Sequence, residues 1–256
     1  AELENVELRA IDALLRGVGG ESASSASVDE LRARAVTIGA RRLDGAAVTG
    51  EQLGLLVKHA LAMSELGRAQ TAAKIVDVAR RATLDAGWAQ RPAEARLAIV
   101  EAARSIEGPT SSGWFALMAG EAKLAMGRGD AADELRGLLG GELDAPEKPT
   151  RARLRLALAE SLRTSESGRA EAVAVLRELA APDDESNRAG GAGPRPEHYW
   201  VAWAMILEML EAESAKAGAV DGLRGQIKRL EILDPGLGGG EGAVRIRRVR
   251  ERIGRG

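Results

Sequence analysis

Cysteine is absent from the 256 residues, which excludes disulfides and thiol chemistry and leaves no trace of a redox compartment. Aromatic residues make up 2%, with one Phe and one Tyr, so a core has to be filled by Ala, Leu, Val and Ile. That composition suits closely packed helices. It argues against sheets, whose strands are enriched in β-branched and aromatic side chains. Only His59 and His198 occur, on separate segments and with no acid cluster at ligand spacing, so neither a metal nor a cofactor is expected. His59 reads as an interior or groove residue of an apolar helix, and His198 as a surface residue beside Glu197. Neither sign of charge dominates: the net value is −2 and the pI about 5.9, so nucleic acid and anionic membranes are not expected as partners. No apolar run reaches the length of a membrane span and no secretory signal opens the chain, which predicts a soluble protein of bacterial type. Cytoplasmic residence and export as a processed chain both stay open.

What the chain does contain is helical periodicity, clearest from Glu51 to Asp85. Thr49 stands three residues before Gln52 with Val48 and Leu53 outside them, a capping box with a hydrophobic staple. Leu53, Leu56, Val57, Ala60, Leu61 and Met63 follow at close to the helical period, until Leu66-Gly67 supplies a stop. Ala72, Ile75, Val76 and Ala79 then repeat at i, i+3, i+4 and i+7. The expectation is an antiparallel helical hairpin folded about Gly67, with alanines at the crossing.

Ala60, Gly67, Ala72, Val76 and Ala79 fill the small, turn and apolar positions of a tetratricopeptide repeat, which this segment resembles. Leu56, Met63 and Leu84 stand where that family usually has Trp, Tyr and Pro. Further along, Leu233-Asp234-Pro235 resembles the usual end of such a repeat, so the likeness runs from about Glu51 to Pro235.

Other segments carry the same style. Leu3 to Val18 reads as a first helix ending in Gly17-Val18-Gly19-Gly20, where the absence of a following Gly-Lys-Ser/Thr argues against a phosphate loop. Ser27 and Glu30 form a second capping box, predicting a helix from Val28 to about Arg42. Pro92 opens a helix that stops near Gly108-Pro109. Gly113 to Met126 and the segment up to Leu139 read as a second hairpin about Gly127, in which Arg128-Gly129-Asp130 places Asp130 as an N-cap. Gly140 to Pro149 reads as a linker, and Leu154 to Leu179 as a third hairpin about Ser165 to Gly168. Residues 182–196, rich in Gly, Pro and charge, read as a flexible insertion. Glu197 to Glu213 is apolar around its whole circumference, which suits burial between neighbours or an oligomer surface through Trp200 and Trp203. With Val220 to Leu233 it makes a fourth hairpin. Gly236 to Gly242 reads as a hinge before an arginine-rich capping helix reaching Ile253, so that 236–256 closes the chain. Its arginines suit solvation and the helix dipole better than base stacking, for which no aromatic residue is interleaved.

The expected fold class is therefore all-α: stacked antiparallel helix hairpins in a tetratricopeptide-like α-α superhelix forming one elongated domain over 1–256. No nucleophile elbow or paired-acid motif appears, so no enzyme activity is expected. The resemblance implies an interaction or scaffold module that holds a peptide or protein partner on a concave face. It implies groove residues on the first helix of a pair, here Val57, Leu61, Ser64 and Glu65. The alternative is a helical appendage of a larger enzyme or sensory protein, a reading suggested by the start at Ala1 without Met.

Overall fold

In a computed structural model, Thr49 does what its spacing predicts. Its hydroxyl accepts from the Gln52 amide at 3.2 Å while the Gln52 side chain accepts from the Thr49 amide at 3.0 Å. The helix so opened, α3, turns its stripe of Leu53, Leu56, Val57 and Ala60 inward. The structure describes residues 2–17, 25–45, 47–108, 113–140, 148–181, 195–217 and 219–254. These form twelve α-helices and one 3-10 turn, with no strand among the described residues. None of the described helices is long and apolar enough to cross a membrane.

The chain divides into two compact units, 1–130 and 131–256. The first holds α1 (Glu2–Gly17), α2 (Ser25–Arg42), α3 (Gly50–Leu61), α4 (Glu65–Leu84), the 3-10 turn Trp88–Gln90, α5 (Ala93–Glu107) and α6 (Gly113–Ala125). The second holds α7 (Ala131–Gly140), α8 (Lys148–Leu162), α9 (Glu166–Leu179), α10 (Glu197–Ala217), α11 (Val220–Leu233) and α12 (Glu241–Gly254). The expected second hairpin is thus α6 and α7, divided by the unit boundary. Within the units α6 packs on α5, and α7 on α8. Gly127, at φ 69°, closes α6: its amide donates to Leu124 and the Arg128 amide to Lys123, a glycine-ended stop that satisfies the last carbonyls.

In both units helices pack on their neighbours in sequence and on the next but one. α2 runs parallel to α4. Asp29 accepts from the Ser64 amide at 3.0 Å across 35 residues, and Lys74 reaches the Thr37 hydroxyl at 2.6 Å across 37. At the far end Gly45 sits against the Arg81 carbonyl. α10 and α12 also run parallel, joined in order by Glu197 to the Glu241 amide, Glu208 to Arg245 and Glu211 to Arg252. Two helices can lie parallel at this range only if the helix between them turns back. The chain therefore alternates direction regularly here.

The turns are tight because of a repeated device. Ser64 accepts from the Gly67 amide at 3.3 Å, and Ser165 from the Gly168 amide at 3.0 Å. Each Ser is an N-cap with Glu in the first turn, where the helix dipole favours an anion. One residue beyond each Gly an arginine reaches back to the preceding helix: Arg68 donates to the Leu61 carbonyl and Arg169 to that of Arg163. Gly67 is consequently not the pivot of the hairpin, contrary to expectation. The chain turns at 62–64, because the Ser64 cap starts α4 earlier and takes Gly67 into its first turn.

Other boundaries shift for similar reasons. α2 begins at Ser25, so Ser27 lies within its first turn, and Asp29 is held by the Ser64 amide and used in packing. α8 includes Pro149, which a first helical turn tolerates because its missing N–H has no partner to lose. Of the expected insertion 182–196, residues 182–194 lie outside the described residues, and Arg195 stacks over the Tyr199 ring at 5.1 Å.

The expected hinge is a closed turn. Asp234 accepts from the amides of Gly236 and Gly238, and buried Leu237 adopts φ 53°, a left-handed conformation held by the packing around it. Gly238 and Gly242 lie directly on Trp200, where a Cβ would come within 2.1 and 2.6 Å of it. Trp200 is accordingly core, which removes it from any oligomer surface.

Two glycine substitutions separate close approach from mere propensity. A Cβ on Gly168 would lie 2.5 Å from the Leu162 carbonyl oxygen, whereas one on Gly225, inside α11, meets nothing within 4 Å. Gly168→Ala is expected to lower stability by roughly 1–3 kcal/mol through overpacking. Gly225→Ala is expected to raise it by about 0.5–1 kcal/mol. Urea denaturation followed by circular dichroism checks both signs.

Candidate interaction surface

The first helix of the α3–α4 hairpin separates its residues sharply. Its buried stripe leaves Glu51, Leu55 and Lys58 at i, i+4 and i+7 facing solvent, with Leu61 at its end. Leu55 is 55% and Leu61 41% exposed, so two large apolar side chains remain uncovered on one short helix. α3 packs on α5 so closely that a Cβ on Gly50 would fall 2.5 Å from Ala98. α5 exposes Glu94, Ala98, Glu101 and Ser105, again at helical spacing. α3 and α5 are packed neighbours, and each carries solvent-facing residues at helical spacing, apolar, acidic and basic between them.

The four residues expected to line a groove fall into two groups. Leu61 and Glu65 are exposed near the hairpin turn. Val57 is buried in the stripe that faces the core, and Ser64 is committed at both ends, its hydroxyl to Gly67 and its amide to Asp29. Hydrogen bonding to Ser64 in turn holds the Asp29 carboxyl below its ordinary range. Leu55 and Lys58 were not among the expected residues. The signal for Leu55 is in the sequence all the same: it is an apolar residue out of phase with Leu53, Leu56, Val57 and Ala60.

In the second unit the side chains between α8, α10 and α12 form an ionic ladder. Glu208 of α10 receives two hydrogen bonds from Arg245, at 2.9 and 2.6 Å, and one from Arg163 at 3.5 Å. Arg163 also pairs with Glu160 at 2.5 Å, Arg245 with Glu241 at 3.3 Å, and Arg252 with Glu211 at 2.6 Å. The Glu208 carboxylate is 22% exposed. Burial pushes it upward, but the Arg245 hydrogen bonds and the charges of Arg245, Arg163 and Arg252 outweigh that, leaving it below its ordinary 4.5. Arg245 is raised, first by its hydrogen bonds to Glu208. The ladder fixes the register of three helices and leaves these cations committed.

The Arg128-Gly129-Asp130 tripeptide is likewise closed on itself. Arg128 holds both Asp130 oxygens at 3.0 and 2.9 Å and Lys123 adds a third contact at 3.1 Å, so the carboxyl titrates below its usual range through hydrogen bonds to Arg128 and then Lys123. Among the described residues no group of three or more His, Asp or Glu side chains could hold a metal ion. No protein-family model, curated protein or solved structure matches the chain.

The ladder has a pH signature. Because the folded Glu208 carboxyl titrates below its unfolded value of 4.5, its contribution is present in full above that pH and is lost as pH falls through the folded value. Glu208→Gln is expected to cost about 1.5–3 kcal/mol near neutral pH, the range for hydrogen bonds to charged groups. Urea denaturation of both proteins checks this, and the gap between them should narrow on acidification below about pH 4.5.

Proposed function

We propose that the chain is a tetratricopeptide-like stack of helix pairs that holds a peptide or protein partner, without catalysis, on the surface offered by α3 and α5. The observation that carries this reading is the parallel packing of α2 on α4, at separations of 35 and 37 residues. That interval is about one tetratricopeptide repeat of roughly 34 residues. α10 and α12 pack in the same parallel sense at separations of 37, 41 and 44. In such a stack the first helix of each pair lines one side, and adjacent first helices supply a continuous row of side chains for an extended or helical segment. α3 and α5 pack directly on each other, as adjacent first helices would in this reading.

Leu55 and Leu61 are the anchors in this reading. Exposed leucines on a helix that already buries a full apolar stripe contribute nothing to its own packing, and they gain by being covered. Lys58, Glu94 and Glu101 supply the polar rim that would set the direction and register of the bound segment.

Affinity capture followed by mass spectrometry tests the assignment, using the wild type and a Leu55→Glu, Leu61→Glu variant. Both positions are solvent-facing, so the variant should keep its helical circular dichroism while losing the proteins captured specifically by the wild type. An unchanged partner set with an unchanged fold removes α3 from the binding surface.

A further inference from the structure

The α11–α12 hairpin carries an imbalance that its internal chemistry does not use. The helices are antiparallel, tied by Arg250 to Glu231 at 2.6 Å and by Arg224 to the Ile253 carbonyl at 2.8 Å. Its acids are engaged. Asp221 pairs with Arg224, Glu231 with Arg250 and Glu241 with Arg245, Asp234 accepts from two backbone amides, and Glu251 also has a partner. Lys228, Arg229, Arg247 and Arg248 are exposed and have no ion-pair or hydrogen-bond partner among the described residues. After internal pairing the hairpin is left with uncommitted positive charge and no uncommitted carboxylate.

Uncovered apolar surface lies in the same place. Among the described residues of the second unit, the exposed large hydrophobics are Ile232, Leu233 and Val244, at 75, 50 and 45%. All three are on this hairpin. The antiparallel arrangement and the closed Asp234 turn put the end of α11, with Ile232 and Leu233, beside the first turns of α12, with Val244. Arg247 and Arg248 follow Val244 at i+3 and i+4, so they flank it on the same side of α12. Lys228 precedes Ile232 by four and shares its side of α11. Ile232 and Val244 each lie opposite the buried stripe of their helix, so the outer face of the hairpin carries two exposed aliphatic side chains with Lys228, Arg247 and Arg248 beside them, whereas Leu233, two residues past the α12-facing Glu231, turns to the far side of α11.

We propose that this outer face of α11–α12 docks an acidic amphipathic segment of another protein, its apolar side chains on Val244 and Ile232 and its carboxylates on Arg247, Arg248 and Lys228. Charge complementarity selects the partner. Nucleic acid is the other polyanion such cations attract, but no aromatic side chain occurs on either helix to stack a base, and exposed aliphatic side chains gain nothing against a phosphate backbone. The face is built from other helices than α3 and α5, and its test does not depend on them.

Fluorescence anisotropy with the intact protein and three labelled probes decides the matter. The first is a synthetic helical peptide with Leu on one face and Glu on the other, the second the same peptide with every Glu replaced by Lys, the third a single-stranded RNA of similar length. The acidic peptide is expected to bind at least about tenfold more tightly than the lysine peptide, and to weaken with added salt. Arg247→Glu with Arg248→Glu should weaken it by about tenfold or more, and Val244→Ser with Ile232→Ser should weaken it at constant salt dependence. All four positions are exposed, so folding is checked simply by unchanged circular dichroism. Equal binding of the two peptides, insensitivity to the arginine reversal, or preference for the RNA overturns the proposal.

Discussion

Helices that lack aromatic side chains can bury enough surface only by coming close, and in this protein small residues decide where they do. Ala60 and Ala79 are fully buried on the two helices of the α3–α4 hairpin. A Cβ at Gly39 would meet Leu56 at 2.5 Å, and one at Gly50 would meet Ala98 at the same distance. In the second unit Gly238 and Gly242 let the chain lie directly on Trp200. At each contact a glycine lets the backbone lie directly against the neighbouring element, on a side chain at Gly39 and Gly238 and on backbone as well at Gly50 and Gly242. Such approaches gain dispersion contacts along whole helical turns, and they leave no room for an added methylene.

Close approach does not by itself choose a register, because alanine faces slide past one another at little cost. Polar contacts between parallel helices make that choice. Asp29 to Ser64 and Lys74 to Thr37 fix α4 on α2, and the Glu208 ladder fixes α12 and α8 on α10. Surface ion pairs are worth little singly, but Glu208 is partly buried and binds two arginines from different elements. Arg91 also ties distant elements in the first unit, donating to the carbonyls of Val48 and Gly45 while lying over the buried Trp88 ring. Many arginines are thus spent on tying elements together, some to carboxylates and some to backbone carbonyls.

Most of the helical content was legible because it rests on short-range rules. The Thr49 and Gln52 box, the Pro92 start, the Ser165 turn and the stop at Asp234 all depend on residues within a few positions of one another. The errors fall where a residue serves a distant partner. Ser27 to Glu30 has the spacing of a cap, yet Asp29 bonds to Ser64 and the helix starts earlier. Gly236 to Gly242 has the composition of a hinge, yet Trp200 gives the glycines something to lie against. Trp88 had no visible role at all, since the 3-10 turn that buries it is held by Arg91 reaching back more than 40 positions, as the separations of 43 and 46 show.

Surface positions were harder to read for a different reason. The helical period counts Leu53, Leu56, Val57, Ala60 and Leu61 alike as one apolar stripe, and the tetratricopeptide resemblance implies a groove role for both Val57 and Leu61. Burial divides the two, and it divides Leu55 from its neighbours Leu53 and Leu56. An apolar residue that the helical period places outside is informative because folding alone gives it no reason to be there. Leu55 on α3 and Val244 on α12 both meet that criterion, and both sit beside charged residues at i+3 or i+4. What separates Leu55 and Val244 from an exposed apolar residue such as Leu66 is a cationic neighbour at i+3 on the same helical face, Lys58 for one and Arg247 for the other.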